Sequence, residues 1–396
     1  MSKLKRILSL SLIMCLILVA APMNAYAASE VTLIIDGTKV SADSPPVIEN
    51  GRTLVPVRAI GEALGGIVGW NARTQTATIE TAIYKVEFVI NSTTYKVNGA
   101  NKTLDVPAKI INDRTMVPAR ALAESIGATI DFDGPTNTVT VKYFTSMSGS
   151  LKINGSTTVQ PIASAAREEL IAKNSSSLSI TVDGGGSGTG IKDAISGAVN
   201  IGMSSRDLTA EEKKDLNEFV IAHDGIAIIV HPNNGVKNLT KEQAKDIFLG
   251  NIKNWKDVGG NDAPILVQTR ETGSGTLTTL EELLLGKDAD GKQLNVLETA
   301  TPNNSTTLLK QAVAKSENAI GFISVGFIDD TVRGLSIGNI APTISNITSG
   351  SYPISRDLLV VTRGAPGALA AMFIDYLRSD FCQKNIVEKE NYISIR

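Results

Sequence analysis

Hydrophobic and polar positions divide the chain into three regimes. From Ile7 to Ala21 apolar residues dominate fifteen consecutive positions, behind Lys3, Lys5 and Arg6. From Val31 to Tyr143 they come in short alternating runs broken by Gly, Pro, Asn and Asp, a strand-rich pattern with brief helices. From Leu151 onward, short apolar strands alternate with segments of helical period, as in an α/β fold. The pattern predicts strands at Leu151–Asn154, Leu178–Val182, Ile226–Val230 and Ile265–Gln268. It predicts helices at Gln160–Ala172, from Gly190 to Ser196, at Lys241–Leu249 and at Leu277–Leu285, with a late amphipathic helix over Phe373–Phe381.

The first regime is an export signal. A basic start, an apolar run and the small-x-small site Ala25-Tyr26-Ala27 predict a signal peptide over residues 1–27 and a mature chain from Ala28. The run falls short of the ~20 residues a membrane span needs. The expected location is therefore extracytoplasmic: extracellular, cell surface or periplasmic. Cys15 would leave with the signal, so Cys382 stands alone as a buried, inert thiol and no internal disulfide can form. Charged residues make up 20% of the 396 positions and the net charge is −2, so no basic field points to nucleic acid. An anionic ligand would need local donors.

The second regime is a repeat. Arg52 to Gly65 (RTLVPVRAIGEALG) recurs as Arg114 to Gly127 (RTMVPARALAESIG), and the offset of 62 extends to Trp70/Phe132 and Asp36-Gly37/Asn98-Gly99. Each copy reads as strand, turn, strand, helix, turn, strand. Asp36-Gly37 and Asn98-Gly99 suit hairpin turns, and Pro56 and Pro118 the first turn of a helix. Residues 28–143 thus form a small α+β repeat domain. It resembles the copper amine oxidase N-terminal-like domain, chiefly through R-T-x-V-P-x-R-A. Copper is not expected: the chain's two histidines, His223 and His231, lie outside this region, and its mature part has no cysteine. The arginine pairs Arg52/Arg58 and Arg114/Arg120 read first as salt-bridging surface residues, with a cell-wall polymer as the alternative partner. Residues 144–150 read as a linker.

Candidate chemistry gathers in four loops of the third regime, where strands hand over to helices: Gly155–Val159, Gly184–Gly190, Ser204–Asp207 and Arg270–Thr276. Helix N-termini expose unpaired N–H groups and partial positive charge. Glycine permits close approach, hydroxyls add short donors, and Arg206 and Arg270 can make charge-assisted bonds to an oxyanion. Nucleotide fingerprints fail: Thr189 stands where the third glycine of a dinucleotide loop belongs, and Ile191 where a P-loop needs lysine. No nucleophile motif such as G-x-S-x-G appears, so no enzyme is expected.

These segments (GSTTVQP, GGGSGTGIKDA, IGMSSRDL, HDGIAIIVHP, RETGSGT, NAIGFISVGF) resemble the phosphate-binding proteins of bacterial phosphate ABC transporters, a two-lobed periplasmic-binding-protein-like fold. The resemblance runs from Gly155 to the end of the chain. It implies a module at 151–396, with lobe 1 at about 151–229 and 351–396 and lobe 2 at about 230–350. Inorganic phosphate would lie in the cleft and a membrane permease would be the partner, with no cofactor. The implied ligand groups are Thr158 and the N–H of Val159, Ser187, Arg270, Ser274, Gly275 and Thr276. Ser205, followed by Arg206, stands where part of the family has an aspartate. Asp224 is the candidate for the displaced proton acceptor, Asp207 its rival, and Arg206 would hold Asp224 or touch the anion. Phosphate scavenging, sensing or adhesion without a transporter is the alternative reading.

Overall fold

The computed structural model describes residues 31–174 and 177–396. The expected signal peptide lies outside the described residues.

The repeat folds as alternation and turn chemistry require. Asp36-Gly37, both at positive φ (47° and 80°), turn Thr32–Ile35 into Thr38–Lys39. Asn98-Gly99 (48° and 80°) do the same between Thr94–Val97 and Ala100–Thr103. Short helices Val57–Ala63 and Ala119–Ser125 follow strands Arg52–Pro56 and Arg114–Pro118. Pro56 and Pro118 are the caps of these helices, one residue before the expected first turn, because their extended backbone still belongs to the preceding strand. The two strands pair antiparallel with Val55 opposite Val117. Since Val117 is also the repeat counterpart of Val55, the copies meet across a local two-fold axis. A second junction closes the unit, Thr32–Ile35 running parallel to Thr138–Lys142.

The segment expected to be a linker, residues 144–150, is built into the fold. Phe144 and Met147 are buried, and Gly149 already begins the strand Gly149–Gly155. The carboxylate of Asp36 accepts the N–H groups of Tyr143, Phe144 and Thr145, holding this segment against the first hairpin. Phe144 and Met147 supply the apolar surface that its polar appearance concealed.

The rest of the chain is built on a nine-stranded mixed sheet bent into two lobes, with a small two-stranded sheet, Asn238–Leu239 against Ser336–Ile337, beside it. The strand Leu216–Val230 is the spine of the larger sheet. Residues 216–225 pair with the strand Ser355–Arg363, and Ile226–Val230 pair with Ala319–Ser324. The expected strand, Ile226–Val230, is only the end of this element. Its earlier part carries Asn217, Glu218, His223 and Asp224, so no unbroken apolar run marks it. The core divides at the same point: of its two largest clusters, one is drawn from residues 226–354 and the other from lobe 1 together with the repeat. Helices Gln160–Lys173 and Ala368–Arg378 cover the lobe 1 sheet.

Repeat and lobe 1 therefore share a single core, pinned by Asp375. This buried carboxylate accepts the Ala82 N–H at 2.7 Å and the Tyr143 hydroxyl at 3.0 Å. Burial pushes its pKa up to about 7. Gly65 (φ 84°) lies directly on it: a Cβ there would sit 1.8 Å from the Asp375 carbonyl oxygen. Cys382 is buried, and its surroundings push the thiol pKa upward.

Candidate functional site

The four loops converge where the lobes face each other. In lobe 1 the chain leaves Gly149–Gly155 and turns into Gln160–Lys173, with Val159 as the cap. The Val159 N–H, expected as a ligand donor, bonds the Ser156 carbonyl at 3.2 Å within this turn. Thr158 next to it is buried, its hydroxyl 3.2 Å from that of Thr276 in lobe 2. The second loop turns at Gly186 (φ 84°), so the helix Ser187–Ser196 starts three residues before the expected Gly190. Ser187 is thereby placed at its first turn. The Ser187 hydroxyl accepts the Ser205 N–H at 3.0 Å and lies 3.3 Å from the Ser205 hydroxyl. Ser205 also accepts from Ser156 at 2.9 Å.

Lobe 2 contributes the strand Leu266–Arg270 and the helix Gly275–Leu280, capped by the Ser274 hydroxyl. Gly275 abuts the lobe 1 hydroxyls: a Cβ there would fall 2.3 Å from Ser187 Oγ and 2.8 Å from Ser205 Oγ. Nothing larger than glycine fits. The Gly188 N–H donates to the Gly273 carbonyl across the cleft at 2.9 Å, so the lobes stand closed. Arg270, only 3% exposed, donates to Thr306 at 3.0 Å and across the cleft to Thr157 at 3.2 Å. Its other edge is held at 2.8 Å by two bonds to Glu271.

Two expectations require correction. Arg206 does not hold Asp224. Its guanidinium grips Glu212 through two bonds of 2.8 Å, in a turn that the Thr209 hydroxyl also caps, and a carboxylate six residues away satisfies it locally. The partner of Asp224 is Arg356, which sequence reading missed. Arg356 donates to Asp224 Oδ2 from Nε at 3.1 Å and from Nη2 at 2.8 Å. It also donates to the Ser205 carbonyl at 2.9 Å, to Thr276 Oγ1 at 3.0 Å and to Thr158 Oγ1 at 3.4 Å. Asp224 Oδ1 accepts from Ser324 at 2.7 Å. The guanidinium thus stands between the Asp224 carboxylate and the loop hydroxyls, with both carboxylate oxygens already accepting bonds. Asp224 is the counter-charge of Arg356 in this geometry, not a group facing the loops. The rival, Asp207, lines a cavity of about 640 Å³ together with His223, Glu282 and Arg356 itself.

Burial governs the electrostatics. It pushes the Asp224 carboxyl up and the Arg356 guanidinium down, each opposed by its partner's charge. Arg270 bonds Thr157 and Arg356 bonds the adjacent Thr158, so the two guanidiniums reach the same loop from opposite lobes. Two buried cations, buried hydroxyls from both lobes and a glycine that admits backbone contact suit a small, tetrahedral, multiply charged oxyanion.

Comparison with known proteins agrees in extent and kind. Residues 141–380 match the family described as PBP superfamily domain, and residues 34–141 match the copper amine oxidase N-terminal domain. The residues of the second match contain neither histidine nor cysteine, the donors that copper prefers. The phosphate-binding protein PstS of Bacillus subtilis is 39% identical, over 63% of this chain and 81% of its own length. That of Borreliella burgdorferi is 32% identical, over 62% and 90%. Among solved structures, a putative phosphate ABC transporter substrate-binding protein from Clostridium perfringens, with bound phosphate, is 40% identical with a TM-score of 0.59. It covers 63% of this chain and 100% of that one. An ABC-type phosphate transport receptor from Vibrio cholerae is 36% identical, with a TM-score of 0.52 over 61% and 99%.

Proposed function

This chain belongs to the PBP superfamily and, within it, to the PstS family of phosphate-binding proteins, and on that footing we propose that it captures inorganic phosphate between its lobes for uptake by the membrane permease of an ABC transporter. The observation that carries this reading is a buried cluster drawn from both lobes: Arg356 bonds the Thr158 and Thr276 hydroxyls, the Ser187 and Ser205 hydroxyls meet beside them, and Arg270 of the other lobe reaches Thr157, next to Thr158. A dianion leaving water needs such compensation, since burying a charge without paired donors is costly. Ser274, Gly275 and the Val159 turn shape the space. Lobe closure is the capture step, and Arg270, reaching Thr157 across the cleft, is its latch.

The cleft has no catalytic task in this account. Its hydroxyls bond one another and the two guanidiniums, an arrangement suited to holding an anion. We take residues 28–143 as an accessory module and 151–396 as the binding module. The split core supports the two lobes, with the crossings at Gly225/Ile226 and near residue 355. Export through the N-terminal signal would place the protein outside the cytoplasm. No helix among the described residues is long and apolar enough to cross a membrane. We take the accessory module as the part that retains the protein at the cell, with a cell-wall polymer as its partner.

Calorimetric titration of the mature, ligand-stripped protein with phosphate, arsenate and sulfate tests the reading. Phosphate and arsenate should bind at micromolar concentration or below, and sulfate much more weakly. Equal binding of sulfate, or none of phosphate, rejects it.

A further inference from the structure

The accessory module carries two cavities, of about 390 and 460 Å³, that are the same site built twice. Each of the twelve residues lining the first has its repeat counterpart, 62 positions away, lining the second. Neither cavity belongs to one repeat. The first takes Trp70 and Arg58 from copy one and Ile110 and Arg114 from copy two. The second takes Phe132 and Arg120 from copy two and Ile48 and Arg52 from copy one. The two-fold relation at Val55 and Val117 generates this exchange.

The chemistry is preserved with the geometry. An aromatic ring stands open to solvent at each site, Trp70 at 46% and Phe132 at 41% exposure, beside an exposed isoleucine. Across from the ring, an arginine of one repeat grips an aspartate of the other. Arg52 donates to Asp105 at 2.6 Å, and Arg114 donates to Asp43 at 2.6 Å from Nε. Large apolar side chains are normally withdrawn from water, and here the same two positions are left out of the core in both copies. Charge is nearly balanced at each site. Arg58 and Arg114 face Asp43 and Asp113, while Arg52 and Arg120 face Asp105, Asp131 and Glu124. A polyanion finds no excess of positive charge here. A flat apolar surface flanked by donors and acceptors of both signs fits a sugar ring, whose C–H face can stack on an aromatic while its hydroxyls bond the arginine–aspartate pair.

We propose that these twin cavities are saccharide-binding sites, each holding one sugar unit of a wall polysaccharide, so that the module binds its polymer bivalently. The proposal rests on the reading that this module retains the protein at the wall, and it names where and by what chemistry. Linked sites raise retention well above the affinity of either one.

The test is co-sedimentation of the mature protein with insoluble peptidoglycan stripped of anionic polymers, with soluble poly(glycerol phosphate) titrated in parallel. Trp70→Ala and Phe132→Ala should each weaken retention by about a hundredfold or more, the loss of one of two linked sites, and the double variant should lose it. Soluble glycan fragments should shift the emission of Trp70, since the other tryptophan, Trp255, is buried at 1% exposure and serves as an internal constant. Both aromatics are exposed, so thermal melting and phosphate titration of the variants should match the parent. Retention of the parent but equally of the double variant overturns the twin sites and leaves the wall reading standing. Failure of the parent to bind peptidoglycan overturns both. Binding to poly(glycerol phosphate) that ignores the aromatics and falls with salt assigns the module to a polyanion and rejects the saccharide sites.

Discussion

Arg356→Gln removes the cation on which the cleft is organised, and its cost can be worked from the contacts. In the parent, Asp224 Oδ2 accepts two charge-assisted bonds from Arg356, and neither residue has appreciable access to water. Breaking a buried pair by deleting one partner typically costs about 3–5 kcal/mol, because the other charge remains unpaired. Part of that cost is escaped by protonating Asp224. With its cation gone, the folded pKa of Asp224 moves further above the unfolded value of roughly 4. Below the unfolded pKa the carboxyl is neutral in both states and the charge penalty vanishes. As pH rises through the folded pKa, stability is lost. The variant should therefore be most destabilised at pH 8 and recover towards pH 4. Phosphate binding should suffer separately. Charge-assisted bonds are worth about 1.5–3 kcal/mol each, so losing one or two to a dianion weakens binding by at least tenfold and by about a hundredfold near 3 kcal/mol. Urea denaturation at both pH values and calorimetry on the folded variant measure the two effects. Arg356→Met with Asp224→Leu replaces the pair by apolar groups and should restore stability without restoring phosphate binding. A folded Arg356 variant that binds phosphate within threefold of the parent would refute the reasoning.

Further outcomes follow from the same contacts. Arg270→Ala removes the bond to Thr157 across the cleft along with a buried cation, so phosphate affinity should fall by more than tenfold by titration, with a faster off-rate in stopped flow. Asp224→Asn leaves Arg356 without its counter-charge. It should lower unfolding free energy by about 3 kcal/mol in urea melts, while the phosphate-to-sulfate preference stays within a few-fold of the parent. Asp375 holds its proton up to about pH 7 in the folded state, so its share of stability is complete below its unfolded pKa and is lost as pH rises to neutrality. Asp375→Asn should flatten the dependence of Tm on pH between roughly 4 and 7, and an unchanged slope would remove Asp375 as its source. Gly65→Ala, with no room against the Asp375 backbone and a positive φ, should loosen the repeat from lobe 1 and expose residues 143–149 to protease.

What was legible in the sequence was whatever is local. The repeat, its hairpin turns and the four donor-rich loops announce themselves because turn residues and helix starts obey short-range rules. The meeting of Thr158 with Thr276, and of Ser187 with Ser205, was implied by the family resemblance and by their loops. Arg356 was not legible, because its partners lie between 80 and 198 residues away. Its strand, Ser355–Arg363, has no glycine-rich loop to draw attention. One signal was available: Arg356 stands two positions before Leu358 in a strand, so alternation puts it on the same face as that buried leucine and asks for a buried counter-charge. Arg206 misled for the opposite reason, since proximity to Ser205 suggested the cleft while Glu212 claimed it. The fusion of repeat and lobe 1 was hidden in Phe144 and Met147, which join the shared core across a segment that reads as polar.

The central claim is that one phosphate ion lies between Arg270 and Arg356 within the closed lobes. Crystallography of the mature protein grown with phosphate tests it most directly. Tetrahedral density is expected at the meeting of the four loops, within hydrogen-bond reach of Arg356 and the Thr158, Ser187 and Thr276 hydroxyls, with Arg356 still bonded to Asp224. Density elsewhere, or an anion there that Arg356 does not touch, would contradict it.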